Sequence, residues 1–254
     1  MIDLDTFLNM TTREAAKIIQ ETGPKVCVFP INGTRRWFNL EHPESAESDY
    51  VEAYLKLSGK RHIKLYKLFF DHGIDTLLTP IIGPDILERD GTYQSLLERG
   101  LQWFAVNEDF LTFYKEYGVR VRVYGDTEAC LGKSMDGSIL KAYENLVQRT
   151  LSHRRYRLFF GICAHDAAEK VAEIGAHFHH KHGRLPSKRE IVEVYYGEYI
   201  EPVDIFIGFD RPSAFDMPLV ATGQEDLYFT VAPSPYLDKR TLRLILYDHL
   251  VSRQ

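Results

Sequence analysis

The sequence predicts an α/β fold: a single domain over residues 1–254 with a mostly parallel six-stranded sheet flanked by helices. Six short runs are rich in Val, Ile, Phe and Tyr, and several are apolar nearly throughout, as in a parallel sheet covered on both faces. They alternate with amphipathic stretches from end to end, an order typical of parallel sheets. The predicted strands are Lys25–Pro30, Thr76–Ile82, Val119–Tyr124, Arg157–Cys163, Val203–Phe209 and Leu227–Val231.

The helices are predicted from apolar residues that recur at helical spacing. The first opens with a capping-box pattern, Thr-Thr-Arg-Glu, from Thr11 to Glu14. A proline followed by serine marks a later helix start at Ser187. The predicted helices are Thr11–Thr22, Glu47–His72, Thr92–Tyr117, Ser134–Thr150, His165–His182, Ser187–Tyr196 and Leu237–Ser252.

Composition narrows the kind of protein. The formal net charge of −5 argues against nucleic acid as the main partner, since neutralising phosphates needs a basic face. An anionic ligand would be bound by a local cluster of arginines. No apolar run is long enough to span a membrane and no signal-peptide pattern stands at the N-terminus. We therefore expect a cytoplasmic protein without stable membrane insertion.

The cysteines indicate no special chemistry. Cys27, Cys130 and Cys163 are far apart and odd in number. Cys27 and Cys163 stand in apolar runs, where a thiol behaves as a small hydrophobic side chain. Their spacing predicts neither a disulfide framework nor a zinc site.

The segment after the first strand has the pattern of an anion site. The strand ends at Pro30, and Asn32-Gly33 is a tight-turn dipeptide. Thr34-Arg35-Arg36-Trp37 then leads into helical sequence. A helix start presents backbone N–H groups to an anion, and guanidinium groups match phosphate oxygens. The same pattern also fits a simple turn with two solvated arginines.

These residues resemble a known family. Asn-Gly-Thr-Arg-Arg-Trp at 32–37 is similar to the Asp-Gly-Asn-x-Arg-Trp signature of the cis-prenyltransferase fold. Arg211-Pro212-Ser213-Ala214-Phe215 resembles its Arg-x-Ser-x-Phe diphosphate element, and Glu225-Asp226-Leu227-Tyr228-Phe229 resembles its Glu-Leu-Tyr-Phe run. Further motifs at 195–199, 227–234 and 244–249 resemble a branch of this family that forms diterpene alcohols. The resemblance extends over about residues 23 to 250.

The resemblance implies a magnesium-dependent terpene synthase that acts on a bicyclic C20 prenyl diphosphate of halimane or clerodane type. Such an enzyme ionises the allylic C–O bond, and water captures the cation to give a tertiary alcohol of the kolavelool or tuberculosinol type. Two alternatives stay open: transfer of the terpenyl group to a nucleoside such as adenosine, and a prenyl-diphosphate-binding relative without activity. The resemblance also implies a homodimer.

The same resemblance assigns roles to individual residues. The diphosphate would be held by Gly33, Thr34, Arg35, Arg36, Arg211 and Ser213. Asn32 and Asp226 would hold the metal ion. Tyr50 would stabilise the allylic cation with its ring or orient water with its hydroxyl, although it also fits a core-facing helix residue. Asn32, Tyr50, Arg35 and Arg36 are thus the predicted catalytic residues.

Two departures from the family pattern matter. Asn32 replaces an aspartate, and an amide carries no charge and cannot accept a proton. The natural enzyme could use Asp226 or Asp216 instead, the chain could be an inactivated variant, or it could be a non-catalytic relative. In addition, Gly208-Phe209-Asp210 lacks the arginine that chain-elongating relatives use for isopentenyl diphosphate. This absence argues against elongation.

Two further patterns are weaker. Pro84-Asp85-Ile86-Leu87-Glu88 approaches an aspartate-rich terpene synthase motif but lacks its first carboxylate. His177, His179, His180 and His182 cluster near a helix end, where His179 and His182 could share a metal. A solvated helix end explains this cluster equally well.

Overall fold

A computed structural model describes residues 2–44, 50–83, 91–133 and 137–252 of the chain. Its six strands form one parallel sheet in the order β3-β4-β2-β1-β5-β6, flanked by helices. The predicted fold class is confirmed, and each strand begins and ends within two residues of its prediction. The strands are β1 (Val26–Val28), β2 (Thr76–Ile82), β3 (Val119–Tyr124), β4 (Tyr156–Ile162), β5 (Ile205–Phe209) and β6 (Asp226–Thr230).

The helices lie between the strands, mostly where helical periodicity predicts them. The capping box at Thr11 is present, because the Thr11 hydroxyl and the Glu14 carboxylate satisfy each other's backbone N–H groups. The helices are α1 (Leu4–Asn9), α2 (Thr12–Thr22), α3 (Thr34–Glu41), α4 (Tyr50–Asp71), α5 (Gly91–Val106), α6 (Glu108–Tyr117), α7 (Ser138–Thr150), α8 (Ala168–His182), α9 (Lys188–Tyr196) and α10 (Lys239–Tyr247).

One stretch predicted as a single helix forms two helices. The stretch Thr92–Tyr117 divides at Asn107, whose side chain accepts the N–H of Asp109 at 3.0 Å and caps a new helix, α6. Asparagine competes for local backbone donors in this way, which periodicity alone does not show. The predicted last helix also ends early, since α10 stops at Tyr247 and a π-helical turn, Asp248–Ser252, follows.

The chain divides into two compact units. The first consists of Met1–Leu77, Val203–Ala214 and Gln224–Gln254, and the second consists of Leu78–Pro202 and Phe215–Gly223. The prediction of a single domain over residues 1–254 stays a prediction. The predicted diphosphate-binding and catalytic residues and Asp226 belong to the first unit, whereas Asp216, His179 and His182 belong to the second.

In the first unit, β1 pairs in parallel with β5, and β5 pairs in parallel with β6. Cys27 lies opposite Ile205. At the amino ends, the Asp204 carboxylate accepts the backbone N–H groups of Lys25 and Val26 at 2.8 and 2.9 Å, which fixes this register. Because the strands run in one direction, their carboxyl ends meet at the same edge of the sheet, where ligands bind in such folds.

In the second unit, β3 and β4 pair in parallel along their full length. The Glu198 carboxylate, just after α9, accepts hydrogen bonds from Arg120 at 2.7 Å and from Arg122 at 3.1 Å. All three side chains are largely buried. Glu198 thus ties the segment after α9 to β3.

The cysteines differ from the prediction. Cys27 is buried and free, as expected. Cys130 and Cys163, 33 residues apart, form a disulfide. The pairing depends on the fold, because the Asp126 N–H donates to the Cys163 carbonyl and so brings the two segments together. In the part of the chain that the structure describes, no helix is long and apolar enough to cross a membrane.

Candidate active site

The chain turns sharply between β1 and α3, and Gly33 makes this turn possible. Gly33 has φ 75° and ψ 17°, in the left-handed region that glycine adopts without strain. A Cβ here would lie 2.9 Å from Pro233 Cβ and 3.0 Å from Phe209 Cε1. Both the backbone angle and the close packing therefore require glycine. The structure has the tight turn that the Asn32-Gly33 dipeptide predicts.

Ser234 braces this turn from the segment after β6. Its N–H donates to the Asn32 carbonyl at 3.1 Å. Its hydroxyl accepts the Asn32 N–H at 3.1 Å and donates to the Pro30 carbonyl at 3.1 Å. Ser234 is 1% exposed, so these bonds lie away from water and hold the turn firmly. The backbone of Asn32 is fixed at both polar groups, whereas its side chain is exposed.

Helix α3 begins directly at the turn, with Gly33 as its N-cap. The Trp37 N–H donates to the Gly33 carbonyl at 2.9 Å, and no side chain caps the helix start. The amide groups and dipole of such a helix start favour an anion. Arg35 and Arg36 lie in the first turn with exposed side chains. The Arg36 guanidinium lies 5.7 Å from the centre of the Phe209 ring, a geometry that orients this positive charge.

The end of β5 brings another arginine to the same edge of the sheet. Phe209 is the last residue of β5 and packs against Gly33. The chain then turns at Asp210, with φ 69°, and continues to Arg211 and Ser213. Both side chains are exposed, and neither has a hydrogen-bond or ion-pair partner among the residues that the structure describes. The two predicted diphosphate segments therefore lie on neighbouring strand ends.

Tyr50 and Tyr54, one turn apart on α4, form an aromatic wall beside α3. Their rings are parallel, with centroids 6.2 Å apart, and both meet Phe38 edge-on at 5.3 and 5.4 Å. The Tyr50 hydroxyl donates to Asn39 Oδ1 at 2.8 Å. The Tyr54 hydroxyl lies 2.9 Å from Thr34 Oγ1. The wall is thus attached to the helix that starts at the arginine-bearing turn.

Asp226 lies at the opposite end of the strands from the turn that bears Asn32. It is the first residue of β6 and lies opposite Ile205, at the amino end of β5. Its Oδ2 is 2.7 Å from Nδ1 of His249. The turn with Asn32 lies instead at the carboxyl end of the strands. The expectation that Asp226 and Asn32 hold one metal ion is therefore not met within a single chain, because the sheet register separates them.

The other predicted metal-binding groups are dispersed as well. Asp216 belongs to the second unit, is 8% exposed, and lies with Oδ1 3.8 Å from Nδ1 of His165. His179 and His182 are exposed on α8. Within the described ranges, no three His, Cys, Asp or Glu side chains are placed to hold a metal ion. The segment Pro84–Glu88 lies outside the described residues.

Sequence reasoning missed several residues that shape the site. Ser234 and Pro233 form the support behind the turn, and their only signal is the Ala-Pro-Ser motif that follows the last strand. Tyr54 stands four residues after Tyr50, a helical spacing that could have paired the two. Phe209 carries no sequence signal of its role, because its contact with Arg36 arises from parallel strand pairing.

Two curated proteins are similar to the chain over most of its length. The tuberculosinyl adenosine transferase of Mycobacterium tuberculosis (strain CDC 1551 / Oshkosh) is 44% identical over 249 residues, which cover 97% of this chain and 82% of that protein. The (+)-kolavelool synthase of Herpetosiphon aurantiacus is 26% identical over 246 residues, covering 93% of this chain and 78% of that protein. No model of a protein family matches the chain.

Solved structures show the same fold at low identity. A probable undecaprenyl diphosphate synthase from Campylobacter jejuni superposes with a TM-score of 0.65 and 13% identity, covering 91% of this chain and 97% of that one. The lavandulyl diphosphate synthase from Lavandula x intermedia, in complex with dimethylallyl diphosphate, gives 0.68 and 14%, covering 94% and 97%.

Proposed function

Because the chain belongs to the family of the tuberculosinyl adenosine transferase and has the cis-prenyltransferase fold, we propose that it acts on a bicyclic C20 prenyl diphosphate. The substrate is of halimane or clerodane type. The enzyme ionises the allylic C–O bond, releases diphosphate and lets water capture the cation as a tertiary alcohol. The observation that carries this proposal is the contact of Gly33, in the Asn32–Arg36 turn, with Phe209, which ends β5 two residues before Arg211.

The diphosphate binds across the two segments. When the C–O bond breaks, both of its electrons stay with the departing oxygen, so negative charge grows on the leaving group. Arg35, Arg36 and Arg211 carry permanent positive charge at this edge, and the amide groups at the start of α3 add donors. Donors that are already in place stabilise this charge without rearrangement, and losing one typically raises the barrier by about 3–4 kcal/mol.

The other product of ionisation is the allylic cation, which the aromatic wall stabilises. The electron-rich faces of Tyr50 and Tyr54 attract a cation, and the Tyr50 hydroxyl is oriented by Asn39 at 2.8 Å. A water oxygen then forms the new C–O bond and loses one proton to solvent. The alcohol and free diphosphate balance the reaction.

Magnesium is the proposed cofactor. Mg²⁺ in proteins is often held by one or two carboxylates together with substrate phosphates. At this edge the chain offers the amide oxygen of Asn32 and the exposed carboxylate of Asp210. These groups fit an ion that is held mainly by the diphosphate, and the bound ion would neutralise part of its charge.

A nucleoside acceptor is the second candidate. It is favoured by the 44% identity to a protein named as a tuberculosinyl adenosine transferase, against 26% to a synthase. The ionisation step is the same, and the acceptor nitrogen replaces water. A third possibility, a binding protein without activity, is motivated by Asn32 in place of aspartate.

One experiment separates these functions. The protein and its Asn32→Asp variant are incubated with bicyclic and linear C20 diphosphates, with Mg²⁺ or a chelator, and with or without adenosine. Mass spectrometry identifies the products. We expect a diterpene alcohol without acceptor, and loss of turnover in chelator. An adenosine adduct would establish the transferase function instead.

The control variants test the site. Arg36→Ala should lower turnover several hundredfold, whereas Arg13→Ala, an exposed arginine on α2, should not. Absence of any product from the wild type and from Asn32→Asp over the whole panel would overturn the enzymatic proposal. Chain-lengthened products with isopentenyl diphosphate would contradict the argument from Gly208-Phe209-Asp210.

A further inference from the structure

One exposed segment of the second unit is free of acidic residues. Between Glu173 and Glu190 the chain has no Asp or Glu, although it has four Lys or Arg residues and four histidines. The segment covers the end of α8, the following loop and the first turn of α9. We call it the basic corner, and its cationic residues are Lys181, Arg184, Lys188 and Arg189.

The charges of the basic corner are largely uncompensated. Arg184 forms an ion pair with Glu190 at 2.6 Å. The Arg189 guanidinium stacks 3.7 Å from the centre of the Tyr199 ring, which leaves its charge intact. Lys181 and Lys188 are exposed. Within residues 174–190, the four cations and the one paired carboxylate give a charge of about +3 on a chain of net charge −5, and the next carboxylate, Glu193, follows one turn later on α9.

A large exposed aliphatic side chain stands among these cations in the sequence. Leu185 is 74% exposed and follows Gly183, which ends α8 with φ 69°. It stands between Arg184 and Lys188 in the loop. Exposed leucines on protein surfaces are ordinary when isolated, but a leucine flanked by cations along the chain has the composition of a membrane-surface anchor.

We propose that the basic corner binds the surface of membranes that contain anionic lipids, with Leu185 inserted among the headgroups. Screening limits the reach of each charge to a Debye length of about 8–10 Å, so acidic residues beyond that distance do not cancel the attraction of the local cations to the membrane. A nucleic acid would also attract the cations, but it would not bury Leu185. The binding is peripheral and reversible, since one leucine and a few cations fall short of stable anchoring. This proposal does not rest on the proposed enzymatic function.

Vesicle co-sedimentation tests the proposed membrane binding. The full chain is mixed with vesicles of phosphatidylcholine alone or of equal parts phosphatidylcholine and phosphatidylglycerol, at low and high salt. We expect binding only to the anionic vesicles, weakened by salt. The double variant Lys181→Glu/Lys188→Glu should lower the partition coefficient at least about thirtyfold, from about 1 kcal/mol per cation. Leu185→Ser should lower it about tenfold.

Matched controls come from other exposed positions. Lys17→Glu/Lys115→Glu makes the same change in net charge on α2 and α6, and Leu151→Ser removes a leucine that is 44% exposed. Neither control should change binding. Equal binding to both vesicle types, or equal losses in the controls, would overturn the proposal. So would tight binding to a DNA duplex that is unaffected by Leu185→Ser, because the partner would then be a nucleic acid. Thermal melts of each variant confirm that it is folded.

Discussion

Ser234 and Asn32, 202 residues apart, hold each other by two hydrogen bonds of 3.1 Å: the Ser234 N–H donates to the Asn32 carbonyl, and the Asn32 N–H donates to the Ser234 hydroxyl. The shape of the turn that bears Arg35 and Arg36 therefore depends on a residue beyond the last strand. The site is formed by strand ends and their connections, as is usual for α/β sheets.

Ser234→Ala should impair both stability and substrate binding. The variant removes both hydrogen bonds of the Ser234 hydroxyl, with the Asn32 N–H and with the Pro30 carbonyl. Their loss should lower the free energy of unfolding by about 1–3 kcal/mol and loosen the turn. We expect a higher KM, measured by steady-state kinetics, and a lower denaturation midpoint.

Thr150→Val is the matched control for this variant. The Thr150 hydroxyl is also buried, accepts the Val121 N–H at 3.0 Å and donates to the Leu146 carbonyl at 3.0 Å, but it lies in the second unit. The Thr150→Val variant should be less stable than the wild type, with an unchanged KM. An unchanged KM in Ser234→Ala would show that the brace does not position the arginines.

Gly33→Ala should abolish most activity. The new Cβ would meet Pro233 and Phe209 at 2.9–3.0 Å, and a left-handed backbone costs a non-glycine residue about 1–2 kcal/mol. Gly183→Ala is the control, because Gly183 has φ 69° but no atom within 4 Å of an added Cβ. Both variants should lose stability, whereas only Gly33→Ala should lose turnover. Equal turnover in the two would remove the turn from the site.

Loss of the hydroxyl of Tyr50 and loss of its ring should have different effects on kcat. Tyr50→Phe keeps the face that stacks on Tyr54, so kcat should fall less than about threefold if the ring stabilises the cation. Tyr50→Leu removes the face and should lower kcat about thirtyfold, equivalent to about 2 kcal/mol. A large loss in Tyr50→Phe would instead assign the function to the hydroxyl and its bond to Asn39.

Acid should destabilise the protein through buried histidines. Burial lowers the pKa of His62 from 6.5 to about 4, and burial also lowers the pKa of His72. The folded protein then binds fewer protons than the unfolded chain between these values, so stability is full above pH 6.5 and is lost as the pH falls toward 4. His62 alone should account for about 2–3 kcal/mol between pH 7 and pH 4.5.

Urea denaturation at several pH values measures this loss. His62→Gln removes the titrating group while keeping an amide donor for the Ser58 carbonyl, which the His62 Nδ1 approaches at 2.7 Å. Its stability should depend less on pH over the same range. A profile as steep as that of the wild type would assign the effect to other groups.

The edge of β6 is where we expect a second copy of the chain to bind. β6 ends the sheet, Leu227 and Val231 are 42% and 97% exposed, and an open groove of about 370 Å³ runs beside the strand, lined by residues that include Tyr228, Val231 and Ile245. Light scattering should give a dimer mass. Val231→Glu should shift it to a monomer, whereas Leu151→Ser should not; a monomeric wild type would contradict the proposal.

Local sequence was enough to place most of the fold. The strand β2 and the helix α2 begin and end where periodicity and capping predict them, because their signals lie within a few residues. The division at Asn107 could not be predicted from periodicity, because the side-chain hydrogen bond that decides it competes with helix formation over one turn.

The sequence by itself determined the chemistry that is available: a glycine turn, adjacent arginines after one strand, an arginine after another and an asparagine in place of a carboxylate. Only the tertiary structure decided which of these groups meet. Parallel pairing of β1 with β5 puts Phe209 against Gly33 and under Arg36, whereas the register of β5 with β6 puts Asp226 beside His249 at the other end. Residue types fix what a side chain can do, but strand direction and register fix its neighbours.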